Sequence, residues 1–325
     1  MSDIAIIGSG IAGLFSALKL ANAGHEVTVI TKQRLKDSST NWAQGGIAGI
    51  LDKTDIGAKE SHIEDTLKSG DGLCNESMVR EVIEGAAECI FELVNIGVQF
   101  EKNQQGEFKL AKEGGHTERR ILHAKDATGR EIERALSEAA KNHDNISLMR
   151  NTLAIDLIQR DYGNPEQGVC GVWCLDQKSR EVITVKADSV IIATGGVGQL
   201  WSKTTNPGVA TGDGVAMAYR CGAAVKDMAF IQFHPTALTV KKDRPFLITE
   251  ALRGEGGVIL DKQGLAMWQN DCQTAKQLGQ ESPAPSNYSF TLEFSKLGSM
   301  ATRDIVARAI DDNLKKTGEQ NVYLV

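Results

Sequence analysis

The sequence has 325 residues, 41% hydrophobic and 24% charged, with a formal net charge of -6. That is enough chain for two domains and a buried core, in an ordinary globular composition. Acidic and basic residues are interspersed without a basic block or stripe, which argues against nucleic acid and an anionic membrane surface as partners. No apolar run approaches the roughly 20 residues of a membrane span, and the first strand-like run, from Ile4, leaves no room for a charged leader, so a cytoplasmic location is expected. Six scattered cysteines without a CxxC pair suggest neither a disulfide framework nor a zinc or iron–sulfur site, and no metal is expected. Cys170 and Cys174 would share one side of a strand and read as packing.

Residues 3–8 read as a buried strand, 11–23 as a small-residue helix and 26–31 as a second parallel strand, together a βαβ unit. Residues 58–98 carry helical spacing through Val79, Val82, Ile83, Ile90 and Leu93 and read as a helical insertion. β-rich segments follow at 153–158, 168–173 and 182–185, then a fully apolar strand at 189–196 that is expected to rejoin the parallel sheet. Residues 268–290 are polar and read as a surface excursion. The last residues, 320–325, look like the opening of a strand.

Gly8-Ser-Gly10-Ile-Ala-Gly13 matches GxGxxG directly after a strand and at the start of a helix. In that context backbone N–H groups and the helix dipole hold a pyrophosphate. Gly8 serves the tight turn, Gly10 the approach of the phosphates and Gly13 the close packing of helix on sheet. The acidic residue expected at the end of the second strand is absent: the positions read Thr31-Lys32, and Lys32 is left as a candidate for a phosphate. Two further glycine-rich turns, Ala43-Gln-Gly-Gly46 and Ala193-Thr-Gly-Gly196, fit FAD, which is long, better than NAD.

With Ala210-Thr-Gly-Asp213-Gly, Gln232-Phe-His-Pro-Thr236, Thr249-Glu-Ala-Leu-Arg-Gly-Glu255 and Thr302-Arg-Asp-Ile-Val-Ala-Arg308, the chain resembles, almost end to end, the flavoprotein family of succinate dehydrogenase, fumarate reductase and L-aspartate oxidase. Glu113-Gly-Gly-His-Thr-Glu-Arg-Arg-Ile-Leu-His123 and Asp126-Ala-Thr-Gly-Arg-Glu131 are similar to its aspartate-oxidising branch. The resemblance implies an α/β fold: a Rossmann-like FAD-binding domain over 1–233 with a helical insert at about 54–128, and a smaller α+β capping domain over 234–325, incomplete at its C-terminus. The FAD set it implies is Gly8, Ser9, Gly10, Ile11, Ala12, Gly13, Lys32, Ser39, Thr40, Asn41, Trp42, Ala43, Gln44, Gly45, Gly46, Ala154, Thr194, Gly195 and Asp213. Succinate dehydrogenases attach FAD through a histidine at the position of Ser39, so here the flavin is expected to be non-covalent.

By the same resemblance His234 and Thr249 contact a substrate carboxylate, while Glu250, Arg253 and Arg303 match a proton relay. Arginine is almost never deprotonated, so Arg303 also reads as electrostatic support for substrate charge. Read without the family, Glu250 and Arg253 at i, i+3 are an ordinary surface ion pair, and His234 is a core histidine. Glu113 is the residue expected to meet an α-ammonium, because a carboxylate there favours an amino acid over succinate; the competing reading is a glutamate in a flexible turn. His116, His123, Glu113 and Asp126 match no zinc spacing. The tryptophans, Met217, Met228 and Met300 read as core. The reaction implied is hydride transfer from L-aspartate to flavin N5, giving iminoaspartate for quinolinate and NAD synthesis. The partners implied are oxygen, fumarate or a quinone as electron acceptor, with hand-over of product to quinolinate synthase. The alternatives are a soluble fumarate reductase or succinate dehydrogenase flavoprotein, or a chain that binds FAD without turnover.

Overall fold

The computed structural model describes residues 2–125, 127–239 and 245–325. In chain order the first half holds β1 (Ser2–Ile7), α1 (Ile11–Asn22), β2 (Val27–Thr31), β3 (Ile47–Ala48), α2 (Ile56–Ser69), α3 (Glu76–Ile96), β4 (Leu110–Ala111), β5 (Ile121–Leu122) and α4 (Thr128–Lys141). Then come β6 (Ile146–Arg150), β7 (Thr152–Gln159), β8 (Val169–Asp176), β9 (Val182–Ile192), α5 (Asp213–Arg220), β10 (Ala237–Leu238), β11 (Phe246–Leu247) and α6 (Ala251–Gly254). The chain closes with β12 (Ile259–Leu260), α7 (Lys262–Gln277), α8 (Arg303–Thr317) and β13 (Tyr323–Leu324).

Two compact units emerge: residues 1–46, 91–101 and 124–230, and residues 47–90, 102–123 and 231–325. The expectation from sequence was one boundary at 233/234 with an insert at about 54–128 on the first side. In the structure most of that insert groups with residues 231–325 instead.

The first unit is built on a six-stranded sheet in the order β6-β2-β1-β9-β8-β7. β6, β2, β1 and β9 run parallel, and β9, β8 and β7 antiparallel. Val27-Thr-Val-Ile-Thr31 is buried at every position, as a β-branched run covered on both faces requires. The expected short strand at 182–185 and the apolar strand after it are one element, β9: Val182 to Lys186 pair with β8, and Ala187 to Ile192 pair with β1. Polar Lys186 and Asp188 hid that continuity from an apolar-run reading. On one face Met217 of α5 joins Ala5, Ile7, Ile30, Ala154, Val172 and Cys174 in a core cluster. Gly13 brings α1 onto the sheet: a Cβ there would lie 2.0 Å from Gly8 O.

In the second unit β3, β5 and β4 form a small antiparallel sheet; the predicted helical stretch is two helices, α2 and α3, separated by Gly70 and Gly72, with the end of α3 from Phe91 grouped in the first unit. Ile83 and Ile90 are buried, but Val82 is 67% exposed and off the core face. The polar stretch from 268 begins inside α7, a helix capped by the Asp261 carboxylate on Gly264 N (2.7 Å) and with only Gly264 and Ala275 buried. It is a surface segment, but an ordered one: Trp268 Nε1 donates to Pro283 O at 3.0 Å. α8 packs Val306 and Ala309 against Ile259 and Phe290. Of the residues read as core, Met217 is buried, while Met228, Trp42 and Trp173 are each more than 40% exposed.

Candidate functional site

Two clusters stand out, one in each unit. In the first, β1 has β2 on one side and β9 on the other, so the connections leave in opposite directions at its C-terminal end, where an open α/β sheet places its ligand crevice. A cleft of about 490 Å³ opens there. Its walls are the turn Gly8, Ser9, Gly10, Ile11 and Ala12, then Lys32, then Ser38, Ser39 and Thr40, then Ala154, Thr194, Gly195 and Asp213. Gly13, Trp42, Ala43, Gln44, Gly45 and Gly46 do not line it; Asn41 lines a neighbouring depression. Gly8 has φ +116°, and a Cβ there would lie 2.1 Å from Ala193 O, so no other residue fits the turn.

The cleft carries its own polar order. Ser9 Oγ sits 3.0 Å from both Thr31 Oγ1 and Leu35 O, holding the turn to the end of β2. Thr40 Oγ1 accepts from Ile11 N at 3.0 Å, covering a free N–H of the α1 terminus. Lys32 Nζ donates to Asp213 Oδ2 and Thr211 Oγ1, each at 2.6 Å. Burial works against the charge of Asp213, yet these bonds outweigh it and hold its carboxyl below the usual range. The glycine turn at a helix N-terminus and the hydroxyls of Ser39 and Thr40 fit a long, polar dinucleotide.

In the second unit Glu250 precedes the short helix α6 and is 5% exposed. Its Oε1 accepts from Arg253 Nη2 at 2.7 Å and its Oε2 from Arg303 Nε at 2.5 Å. The pair is therefore no surface ion pair. Arg253 is fully buried, and its Nη1 also donates to Ser299 O at 2.7 Å. Arg303, at the start of α8, keeps a third of its side chain exposed; Nη1 donates to Gln232 Oε1 at 3.1 Å, and Nη2 lies 4.0 Å from Glu113 Oε2. Gly114, next to Glu113, packs so closely that a Cβ would meet Glu250 Oε1 at 2.7 Å. The Glu-Gly-Gly turn is a fitted piece of the cluster, contrary to a flexible-turn reading.

His234 is partly buried, and its Nδ1 accepts from Thr236 N at 3.2 Å, which leaves the proton of the neutral ring on Nε2. Burial, reinforced by the Arg303 charge, lowers its pKa to about 4. Thr249 Oγ1 accepts from Ala251 N at 3.4 Å, and among the described residues its hydroxyl has no acceptor. The His116 and His62 rings lie 5.6 Å apart, tilted by 51°, and among the described residues both Nδ1 atoms are buried without a hydrogen-bond partner. Among the described residues no three His, Cys, Asp or Glu converge as a metal site; Asp126 lies outside the described residues. Sequence reasoning gave no individual role to Gln232 or Thr236. Gln232 and Thr236 stood inside the quoted His234 motif, and that adjacency was the available signal.

A glycine turn at the switch point of a mostly parallel sheet defines a dinucleotide-binding α/β protein. The chain belongs to the FAD binding domain family, which it matches over residues 3–325, and FAD is its cofactor. It is 41% identical over 331 residues to an L-aspartate oxidase, chloroplastic, of Oryza sativa subsp. japonica, covering 99% of this chain and 47% of that protein. It is 41% identical over 325 residues to L-aspartate oxidase 1 of Ralstonia nicotianae, covering 99% and 56%. The chain thus spans about half the length of the curated relatives it matches. Among solved structures it resembles a quinol-fumarate reductase with menaquinol molecules (TM-score 0.82, 28% identity, 99% of this chain and 54% of that one).

Proposed function

We propose that the protein oxidises L-aspartate to iminoaspartate with FAD, the first step of de novo NAD synthesis. Glu113 carries the reading: it is a carboxylate 4.0 Å from Arg303 in a cluster otherwise suited to binding carboxylates. The relatives named L-aspartate oxidase support it. Bound FAD supplies the acceptor for the hydride that leaves C2 of the substrate. A proton leaves the nitrogen as the carbon–nitrogen double bond forms.

His234 donates Nε2–H, and Thr249 its hydroxyl, to a substrate carboxylate. Arg303 balances the substrate's charge. Glu250, bonded by both guanidiniums, is the partner through which a proton passes. Arg253 is a positioning residue, holding Glu250 from a fully buried place. Glu113 meets the α-ammonium. In the cofactor cleft Gly10 and the α1 N-terminus would hold the pyrophosphate, with Lys32, paired to Asp213, as a further holding residue, and Ser39 would leave the flavin non-covalent. Oxygen, fumarate or a quinone reoxidises the flavin, the product passes to quinolinate synthase, and the cytoplasm is the compartment. Among the described residues no helix is long and apolar enough to cross a membrane.

The likeness to quinol-fumarate reductase favours a second reading, succinate or fumarate as substrate. Succinate lacks only the α-ammonium, so Glu113 separates the two. Glu113→Gln keeps shape and removes charge: aspartate turnover is expected to fall at least tenfold while succinate affinity holds or improves. Equal weakening of both ligands, or of neither, would remove Glu113 as the amine reader and with it the preference for aspartate.

A further inference from the structure

α4 packs against the 38–43 segment, whose first residues line the cofactor cleft. Gly129 N, in its first turn, donates to Ala43 O at 3.0 Å, and a Cβ on Gly129 would fall 1.9 Å from Thr40 O. One turn on, Glu133 is 2% exposed and faces the same segment. Its Oε2 accepts from Ser38 Oγ at 3.0 Å and its Oε1 from Ser137 Oγ at 2.9 Å, and among the described residues it has no salt-bridge partner. A carboxyl buried without a cation is costly, and an apolar side chain of that size would pack there more cheaply. Ser38 is the reason we find for it: its hydroxyl donates to Glu133 and accepts from Asn41 N at 3.4 Å, and the residue is one of those that line the FAD cleft.

We propose that Glu133 is a positioning residue for FAD, deciding whether the Ser38 hydroxyl turns its proton toward α4 or toward the cofactor. The proposal rests on FAD occupying the cleft beside Ser38. An ionised Glu133 only accepts, so the Ser38 proton is committed to it. A protonated Glu133 has one proton of its own to donate to Ser38 Oγ, which frees the Ser38 proton for a phosphate or ribose oxygen of FAD. The proton comes from solvent, and no covalent bond between heavy atoms changes. Burial pushes the Glu133 carboxyl up to about 7, against the two serine bonds, so the exchange falls in the neutral range.

The charged groups around Glu133 are arginines, lysines and carboxylates. On α4 they are Arg130, Arg134, Glu138 and Lys141; Arg34 and Lys36 come from the loop after β2, Arg150 from β6, and Asp176 from β8. α1, packed on α4, contributes Lys19, paired to Glu92. The next imidazole along the chain, His143, lies past the end of α4 and bonds Asn22.

FAD titration of apoprotein, followed by flavin fluorescence from pH 6 to 8.5, tests this. In the wild type FAD affinity is expected to fall about tenfold as pH rises, the value of one hydrogen bond to a charged group. Glu133→Gln, whose amide donates permanently to Ser38, should bind tightly with a flat profile. Ser38→Ala should be flat at the weak end. Parallel slopes in wild type and Glu133→Gln would overturn the proposal. If Glu133→Gln fails to fold, Ser38→Ala decides: a flat profile supports it and a retained slope overturns it. A wild type that bound no FAD at any pH would instead overturn the cofactor reading and the proposal together.

Discussion

At the scale of single residues, the second cluster works by shared protons and opposed charges. Arg303 makes three contacts at once, to Glu250, Gln232 and Glu113, so its guanidinium is held in one orientation. Arg303→Leu is expected to slow flavin reduction by aspartate at least a hundredfold, about 3 kcal/mol of barrier, while FAD stays bound. Near-normal reduction would make Arg303 structural. Ser39 carries a separate expectation: acid precipitation should leave the yellow colour in the supernatant, and colour in the pellet would mean a covalent link elsewhere. Glu250, Arg253, Arg303 and Glu113 were legible because each sat in a family motif, and the structure brings those four together. What sequence hid was depth. An i, i+3 pair looks the same on paper whether exposed or, as for Arg253, wholly buried. The Lys32 to Asp213 pair was equally hidden, since no spacing rule connects positions 181 residues apart.

Among the elements, α4 illustrates how a cofactor loop is held from behind. Local pattern announced the β1-α1-β2 unit because its apolar runs and glycines answer to one short stretch of chain. Nothing local announced that Gly129 must be small, since the constraint comes from Thr40 O in a distant segment. Gly129→Ala forces that contact apart. An overpacked site of this kind costs about 1–3 kcal/mol, so the melting temperature should drop by several degrees and FAD affinity should fall with it. Unchanged stability and affinity would mean that α4 and the 38–43 segment yield independently. The sequence reading cut β9 in two for a related reason: its two halves serve different neighbours, β8 and β1, and so carry different patterns.

For the whole molecule, fold class was readable and partition was not. Periodicity marks elements, but unit membership follows long-range contact, which sends residues 47–90 and 102–123 to the unit holding Glu250 and Arg303. His234 adds a pH dependence at this scale. Its folded pKa of about 4 lies below the ordinary 6.5, so its contribution to stability is present above pH 6.5 and is lost as pH falls toward 4. The central claim concerns substrate. Anaerobic stopped-flow mixing of the FAD-loaded protein with L-aspartate, and separately with succinate, reads it from the loss of flavin absorbance. The account predicts rapid bleaching by aspartate and slow or no bleaching by succinate; reduction by succinate with none by aspartate would contradict it.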